Sequence, residues 1–507
     1  MKRIYLPFFL MLVFFACKKE KTESIDYNQL TEKRILEVSE QAAIKTEDIA
    51  SLERLLEKVD NSTVRTKLTA MLDGVKILKD FLPVLEKLKT DPDVNFNELY
   101  GTLEAKLAQI SDQLPRKAKL KQELESAKAN YGKEEYEYPE WIVSTEYSLG
   151  NYLLKNYDIK PVAGNKNRFL RSDIERVDSL TVPGSSANHP YIPLSVVKTF
   201  KGLRVLATVI LEDGVDLNSL TKLEKLSIRW KSGLKIDALS NLKELRLEAG
   251  DWGQVMDFSN SYPLLKKLYV AGTIANKLTT VLLSNKQHLT EVTFGGDAQG
   301  NNTLPLIKRL VIEAKEIKSF PLILGSESNR EIDEVKLSGF GGKVDDYNYS
   351  QLILSGPNGD AFITGKTFVK IKKLDISCPA LESFGMGTLD LPTGIDLALM
   401  KNLRHLGVSR FTVAGRDHTI NDLLNLDQLR PALERFTFTD LNFPTGTFDI
   451  SAFNKLTGGL VYSSSVVKQP LKKLIMTKAQ DAMEDPGDGS CDNCGFYVPQ
   501  EVERAIK

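Results

Sequence analysis

A six-residue pattern recurs through much of this chain: an apolar residue, two mostly polar ones, an apolar residue, a free position and a last apolar residue. Leu223-Glu224-Lys225-Leu226-Ser227-Ile228 and Leu242-Lys243-Glu244-Leu245-Arg246-Leu247 are the clearest cases. Read as a strand, the last two apolar residues point to one side and the residues between them to the other. One such strand cannot bury its apolar face alone, but a stack of them can. Hexads begin at Val177, Leu203, Leu223, Leu242, Leu265, Leu289, Ile307, Ile332, Tyr349, Ile371, Leu403, Leu433 and Leu471. The unit at Tyr349 is weak. The unit at Leu203 departs twice, with Val205 in a polar position and Thr208 where an apolar residue is expected.

Set side by side, these units resemble a leucine-rich repeat, whose period is about 20 to 29 residues with one short strand per turn. The resemblance spans residues 177–483 and implies an irregular solenoid with a curved parallel sheet, its strands about 4.8 Å apart. One departure matters. The Asn or Cys expected three residues after the last apolar position is replaced by Lys231, Gly250 and Thr273. Without that buried ladder the turns must satisfy their backbone groups in another way. The outward positions of such a stack are where repeat proteins bind extended partners. Here they include Glu244, Arg246, Lys267, Tyr269, Arg309, Val311 and Glu313. Tyr and Arg dominate interface hot spots, so Tyr269 with Arg229, Arg246, Glu244 and Arg309 is the candidate binding face.

The first residues read as an address. Lys2 and Arg3 precede an apolar stretch from Ile4 to Ala16, too short for a membrane-spanning helix, which needs about 20 residues. Phe14-Phe15-Ala16-Cys17 resembles the lipobox of bacterial lipoproteins, with Phe14 standing where Leu or Val is usual. The resemblance implies a signal peptide over 1–16 and a lipidated Cys17. Lys18-Lys19-Glu20-Lys21-Thr22-Glu23 resembles, in part, the surface-export signal of Bacteroidota lipoproteins. The expected address is the outer membrane, lipid-anchored and facing the cell exterior. The polar stretch 17–27 reads as a tether of about 35 Å when extended.

From 28 to 131 the apolar period becomes helical. Ile49, Leu52, Leu55, Leu56 and Val59 form one stripe, and Val64, Leu68, Leu72, Val75, Leu78, Leu82, Leu85 and Leu88 a longer one. Glu47 and Asp48 suit a first turn, and Asn95 with Glu98 reads as a capping box. Asp91-Pro92-Asp93 and Leu114-Pro115 break the pattern, and Pro83 predicts a kink. Four or five helices packed as a bundle are expected, which makes the chain α+β. The Tyr-rich stretch 132–176 is expected to cover the first end of the stack.

At the other end, residues 484–507 read as a cap. Gly495-Phe496-Tyr497-Val498-Pro499, followed by a short helical end to Lys507, resembles the C-terminus of BspA-type leucine-rich-repeat proteins of Bacteroidota surfaces. Cys491-Asp492-Asn493-Cys494 lacks the βαβ context of a redox pair and has no nearby histidine to complete a zinc site. In an exported chain a local disulfide between Cys491 and Cys494 is expected, with free thiols as the alternative. Asp485, Asp488 and Asp492 lack EF-hand spacing. Cys378 continues the alternation of Leu374 and Ile376 and belongs in the core.

Lys+Arg and Asp+Glu both number 67, so no basic field draws nucleic acid. No hydrolase, metalloprotease, phosphate-loop or dinucleotide motif is present. The expectation is a non-catalytic protein without cofactor that binds a protein or glycan partner. The alternative is an accessory lipoprotein of an outer-membrane nutrient-import or assembly complex.

Overall fold

The structure, a computed structural model, describes residues 25–91, 94–143, 148–181, 191–295, 301–326, 329–341, 349–356, 368–463, 467–483, 495–497 and 499–507. Cys17, the segment 18–23, Cys491, Cys494 and the acidic residues Asp485, Asp488 and Asp492 lie outside the described residues. The fold is α+β, with helices and many parallel strands in open sheets. The chain divides into two compact units, one ending at Gly132 and the other beginning at Lys133.

The first unit holds five helices: α1 (Tyr27–Ser39), α2 (Thr46–Leu56), α3 (Ser62–Thr90), α4 (Phe96–Gln109) and α5 (Arg116–Tyr131). The apolar stripe of α3 supplies Leu68, Leu72, Val75, Leu78, Leu85 and Leu88 to a core shared with Ile35, Leu52, Leu103 and Leu120. Asn95 caps α4, its side chain accepting from the Glu98 N–H at 3.2 Å. α3 runs through Pro83 as one helix of 29 residues. No described helix is long and apolar enough to cross a membrane.

In the second unit the hexads become strands in register. A six-stranded sheet takes Ser179–Thr181, Val205–Asp213, Lys225–Ser232, Glu244–Asp251, Lys267–Val270 and Glu291–Phe294 in chain order, every pair parallel. Leu180, Leu206, Leu226, Leu245, Leu268 and Val292 form one column across it, none more than 4% exposed. Each fully buried leucine of that column contributes roughly 1.5–3 kcal/mol. The first residue of each hexad is buried as well, just before its strand.

One bond pattern recurs at strand entry. In many hexads the carbonyl of the second residue accepts from two consecutive amides of the next hexad. Arg204 O receives Glu224 N at 2.8 Å and Lys225 N at 2.9 Å, and Glu224 O receives Lys243 N at 2.7 Å and Glu244 N at 3.0 Å. The same fork joins Arg404 O to Glu434 N and Arg435 N, at 2.8 and 2.9 Å, in another sheet. The polar middle residues then stack as ion pairs, Lys225 on Glu244 at 2.9 Å and Lys267 on Glu291 at 2.6 Å.

The hexads do not share a single sheet. Those at Ile307, Ile332 and Ile371 form Arg309–Ile317, Glu334–Phe340 and Leu374–Ser377 of a five-stranded parallel sheet, with Val255–Asp257 and Thr280–Lys286. Val311, expected to face outward, is buried there. A separate eight-stranded parallel sheet runs Asn302–Leu304, Ser319–Leu324, Gln351–Ser355, Ser383–Gly387, His405–Val408, Arg435–Thr439, Gly458–Tyr462 and Phe496–Tyr497. Three of the strands in these two sheets come from hexads that fit the pattern but were not counted in the sequence reading: Leu278, Ile317 and Leu381. The hexad at Leu471 forms Lys473–Met476, between Thr447–Asp449 and Glu503–Ile506. The end of the chain is therefore a strand where a short helix was expected, because Glu503–Ile506 pairs in parallel with Lys473–Met476.

The Tyr-rich segment joins the same core through Tyr138, Leu149, Leu153, Ile159 and Phe169. Two of its tyrosines bond the outer edge of the six-stranded sheet. Tyr152 Oη accepts from Thr181 N at 3.2 Å and donates to Ser179 O at 3.1 Å, and Tyr157 Oη accepts from Ser179 N at 2.9 Å. Edge groups that would otherwise invite another strand are thus satisfied by side chains.

Single side chains replace the absent ladder elsewhere. Asn302 accepts from Phe294 N at 2.7 Å and donates to Pro321 O at 3.0 Å, and Asn329 donates to Pro305 O and Ile307 O. Lys286, 2% exposed, donates from Nζ to Ser261 O at 2.8 Å. Thr208 and His418 are among the buried groups that are less well served. Thr208 faces the core in register with Ile228, its Oγ1 buried without a partner. His418 is 1% exposed, stacks on Phe411 with ring centroids 4.1 Å apart and leaves Nε2 unpartnered. Burial pushes its pKa down to about 4.

Both groups give measurable expectations, and all three tryptophans, Trp141, Trp230 and Trp252, report on the second unit alone. Thr208→Val removes an unpaired hydroxyl at constant shape and should raise stability by about 1 kcal/mol in urea unfolding followed by tryptophan fluorescence. A loss of stability would refute this. The His418 shift runs from an unfolded value near 6.5 down to about 4. Its contribution is therefore full above pH ~6.5 and lost as pH falls through ~4, an acid-labile increment of about 3 kcal/mol. His418→Asn should flatten the unfolding midpoint over that window, and parallel wild-type and variant profiles would contradict it.

Candidate functional site

Two faces of the second unit compete for the role of binding surface. The first is the patch expected on the six-stranded sheet. Arg246 lies with its guanidinium 4.0 Å from the Tyr269 ring centroid and its Nε 3.0 Å from Glu248. Arg229 donates to the other oxygen of Glu248 at 3.0 Å, and Ser227 donates at 2.7 Å. Burial works against the Glu248 carboxylate, yet the bonds from Ser227, Arg229 and Arg246 hold its pKa below the ordinary value. Glu244 is taken by Lys225. Arg229, Glu244, Arg246 and Tyr269 are thus brought together, but their charges answer one another.

Arg309 is not part of that patch. It lies on the five-stranded sheet and donates to Glu334 at 2.8 Å. The hexad predicts the right strand for it but says nothing of which sheet the strand enters.

The second face is the outward side of the eight-stranded sheet, where a groove of about 680 Å³ opens. Parallel register lays its lining out in two rows. One holds Gln351, Ser383, His405 and Arg435, and the other Ile353, Gly385, Gly407, Thr437, Leu460 and Tyr497. Behind them Phe320, Leu352, Phe384, Leu406 and Phe436 align as the core column.

The glycines set the depth. Gly459 is required by the fold, because a Cβ there would lie 2.3 Å from the Phe436 ring. Gly407 is different. A Cβ at Gly407 would meet nothing closer than 3.9 Å, and its φ is not positive. At Gly385 the nearest atom would be Ile353 Cγ1, at 3.2 Å. Glycine within a strand costs about 0.5–1 kcal/mol against alanine, and it often marks a close approach by a ligand or another backbone. Backbone strain and crowding do not account for Gly407, so the space it leaves above the sheet is what distinguishes it.

Beside this floor sits His405. Its ring lies 4.0 Å from that of Tyr349, which also carries the Arg404 guanidinium at 4.6 Å. Arg404 in turn forks onto Glu434 with bonds of 2.9 and 2.8 Å. Burial first, and then the Arg435 charge, push the His405 pKa down, which keeps the imidazole neutral near pH 7. Its Nε2 is buried and has no hydrogen-bond partner.

The hexads at Leu403 and Leu381 both carry glycine in the free position, at Gly407 and Gly385. Glycine in that position of two neighbouring hexads was the available signal. Among the described residues, no group of three or more His, Cys, Asp or Glu side chains could hold a metal ion. Cys378 is buried, and burial pushes its thiol up to about 11. No family model, curated protein or solved structure matches the chain.

Gly407→Ala should therefore fold normally and gain about 0.5–1 kcal/mol in urea unfolding followed by tryptophan fluorescence. A loss of more than about 1 kcal/mol would make Gly407 a structural glycine and remove the argument for the groove.

Proposed function

We propose that this chain is a lipid-anchored binding protein of a Bacteroidota outer membrane, facing the cell exterior and acting without catalysis. In this reading the first unit is a helical bundle. The second is an irregular leucine-rich-repeat solenoid of the BspA-like kind, which engages an extended protein or glycan along the groove of the eight-stranded sheet. The observation that carries it is the floor at Gly407, beside Gly385, a gap over the central strand His405–Val408 that neither backbone angle nor crowding at Gly407 requires. The two-row lining supports the same reading, since stacked strands repeat their contacts along an extended partner. The patch around Tyr269 supports it less, because Arg229, Glu244 and Arg246 are already paired.

Protease treatment of intact Bacteroidota cells expressing the full chain tests the address. The expected result is digestion without lysis, and release into the soluble fraction by Cys17→Ser. Survival until the outer membrane is breached would defeat the surface assignment. Crosslinking that recovers only membrane-complex subunits would favour an accessory lipoprotein of an import or assembly complex.

A further inference from the structure

We propose that the groove on the eight-stranded sheet takes an uncharged, extended glycan of about five sugar rings, lying across the strands with about one ring to each interval between them. This deepens the groove-binding reading and rests on it. Length is the first argument. The lining runs from the strand Gln351–Ser355 to Phe496–Tyr497, six neighbouring strands whose five intervals span about 24 Å.

Periodicity is the second. Contacts along the groove repeat at the parallel-strand spacing of about 4.8 Å, close to the length of one pyranose ring in an extended chain. Side chains on one face of an extended peptide repeat every two residues, about 6.8 Å, and fall out of step within two strands.

The chemistry of the two rows is the third. Gln351 offers both donors and an acceptor and Ser383 both, and His405 and Arg435 continue the row. A polyhydroxylated ligand presents both kinds of group at every ring and suits such a mixed row. Among the described residues lining the groove there is no Asp or Glu, and Arg435 is the sole arginine or lysine, so the lining has no field for a polyanion or polycation. The glycine floor admits a ring lying flat, its C–H face over the backbone. Tyr497, 51% exposed on the last strand, offers an aromatic face at one end.

The test is calorimetric titration of the purified full chain with neutral oligosaccharides of two to seven rings. These are taken from β-1,4-glucan, β-1,4-mannan, β-1,3-glucan and α-1,6-mannan series, with heparin and an uncharged nonapeptide alongside. Within one series, affinity should climb with each ring and level off near the length that fills the groove. Gly407→Val should cut that affinity by about tenfold or more, and Gly407→Ala by less, with both variants checked as folded by tryptophan fluorescence. Tyr497→Ala should weaken only the ligands long enough to reach the last strand. If the nonapeptide or heparin binds instead, and Gly407→Val abolishes it, the glycan is overturned while the groove stands. Glycan binding unmoved by Gly407→Val would overturn the groove itself. No binding by any neutral series, at concentrations where the chain is stable, would overturn the glycan.

Discussion

The second unit depends on parallel strands held in exact step with their predecessors. A forked bond recurs at many strand entries, one carbonyl serving two amides of the next hexad, and holds the register through the backbone alone. Once register is set, leucine falls on leucine through Leu206, Leu226, Leu245 and Leu268, and a slip of one residue would turn every apolar side chain outward. The polar residues of the hexad become ion-pair stacks by the same operation. These exposed pairs add little stability, so their weight lies in keeping the face soluble and aligned.

Irregularity in this fold has a physical source. A buried asparagine ladder would satisfy every turn alike, but Lys231, Gly250 and Thr273 stand at its positions. Its turns are served singly instead, by Asn302, Asn329, Lys286 and the tyrosines at the first edge. Side chains that each serve a single turn impose no common turn length, and the strands lie in several sheets. The two faces differ at the free hexad positions. On the six-stranded sheet two neighbouring ones hold Arg246 and Tyr269, which stack on each other. On the eight-stranded sheet two of those positions are glycine, and a groove results.

Sequence pattern reached a long way into this fold. Hexad positions marked the buried residues correctly for Leu226, Ile228, Leu245 and Leu247, and the helical stripes marked the core of α3. Pattern failed where partners come from elsewhere in the chain. Arg309 and Val311 satisfy the template as well as Arg246 does, yet their strand joins the five-stranded sheet and Val311 is covered. The end of the chain looked helical in isolation and is a strand because Lys473–Met476 offers it an edge. Periodicity reports on a residue's neighbours in the strand and is blind to the strand beside it.

The same division governs the candidate site. By itself the sequence determined the hexad, its alternation and therefore which side chains of each strand share a face, because those follow from a two-residue period. It also determined the balance of charge and the helical character of the first unit. Only the tertiary structure decided which strands are neighbours. That choice placed Gly385 beside Gly407, set His405 against Tyr349, and separated Arg309 from Tyr269. A groove across strands is built from residues tens of positions apart, and its depth comes from side chains that are absent. Neither property is visible until the register is known.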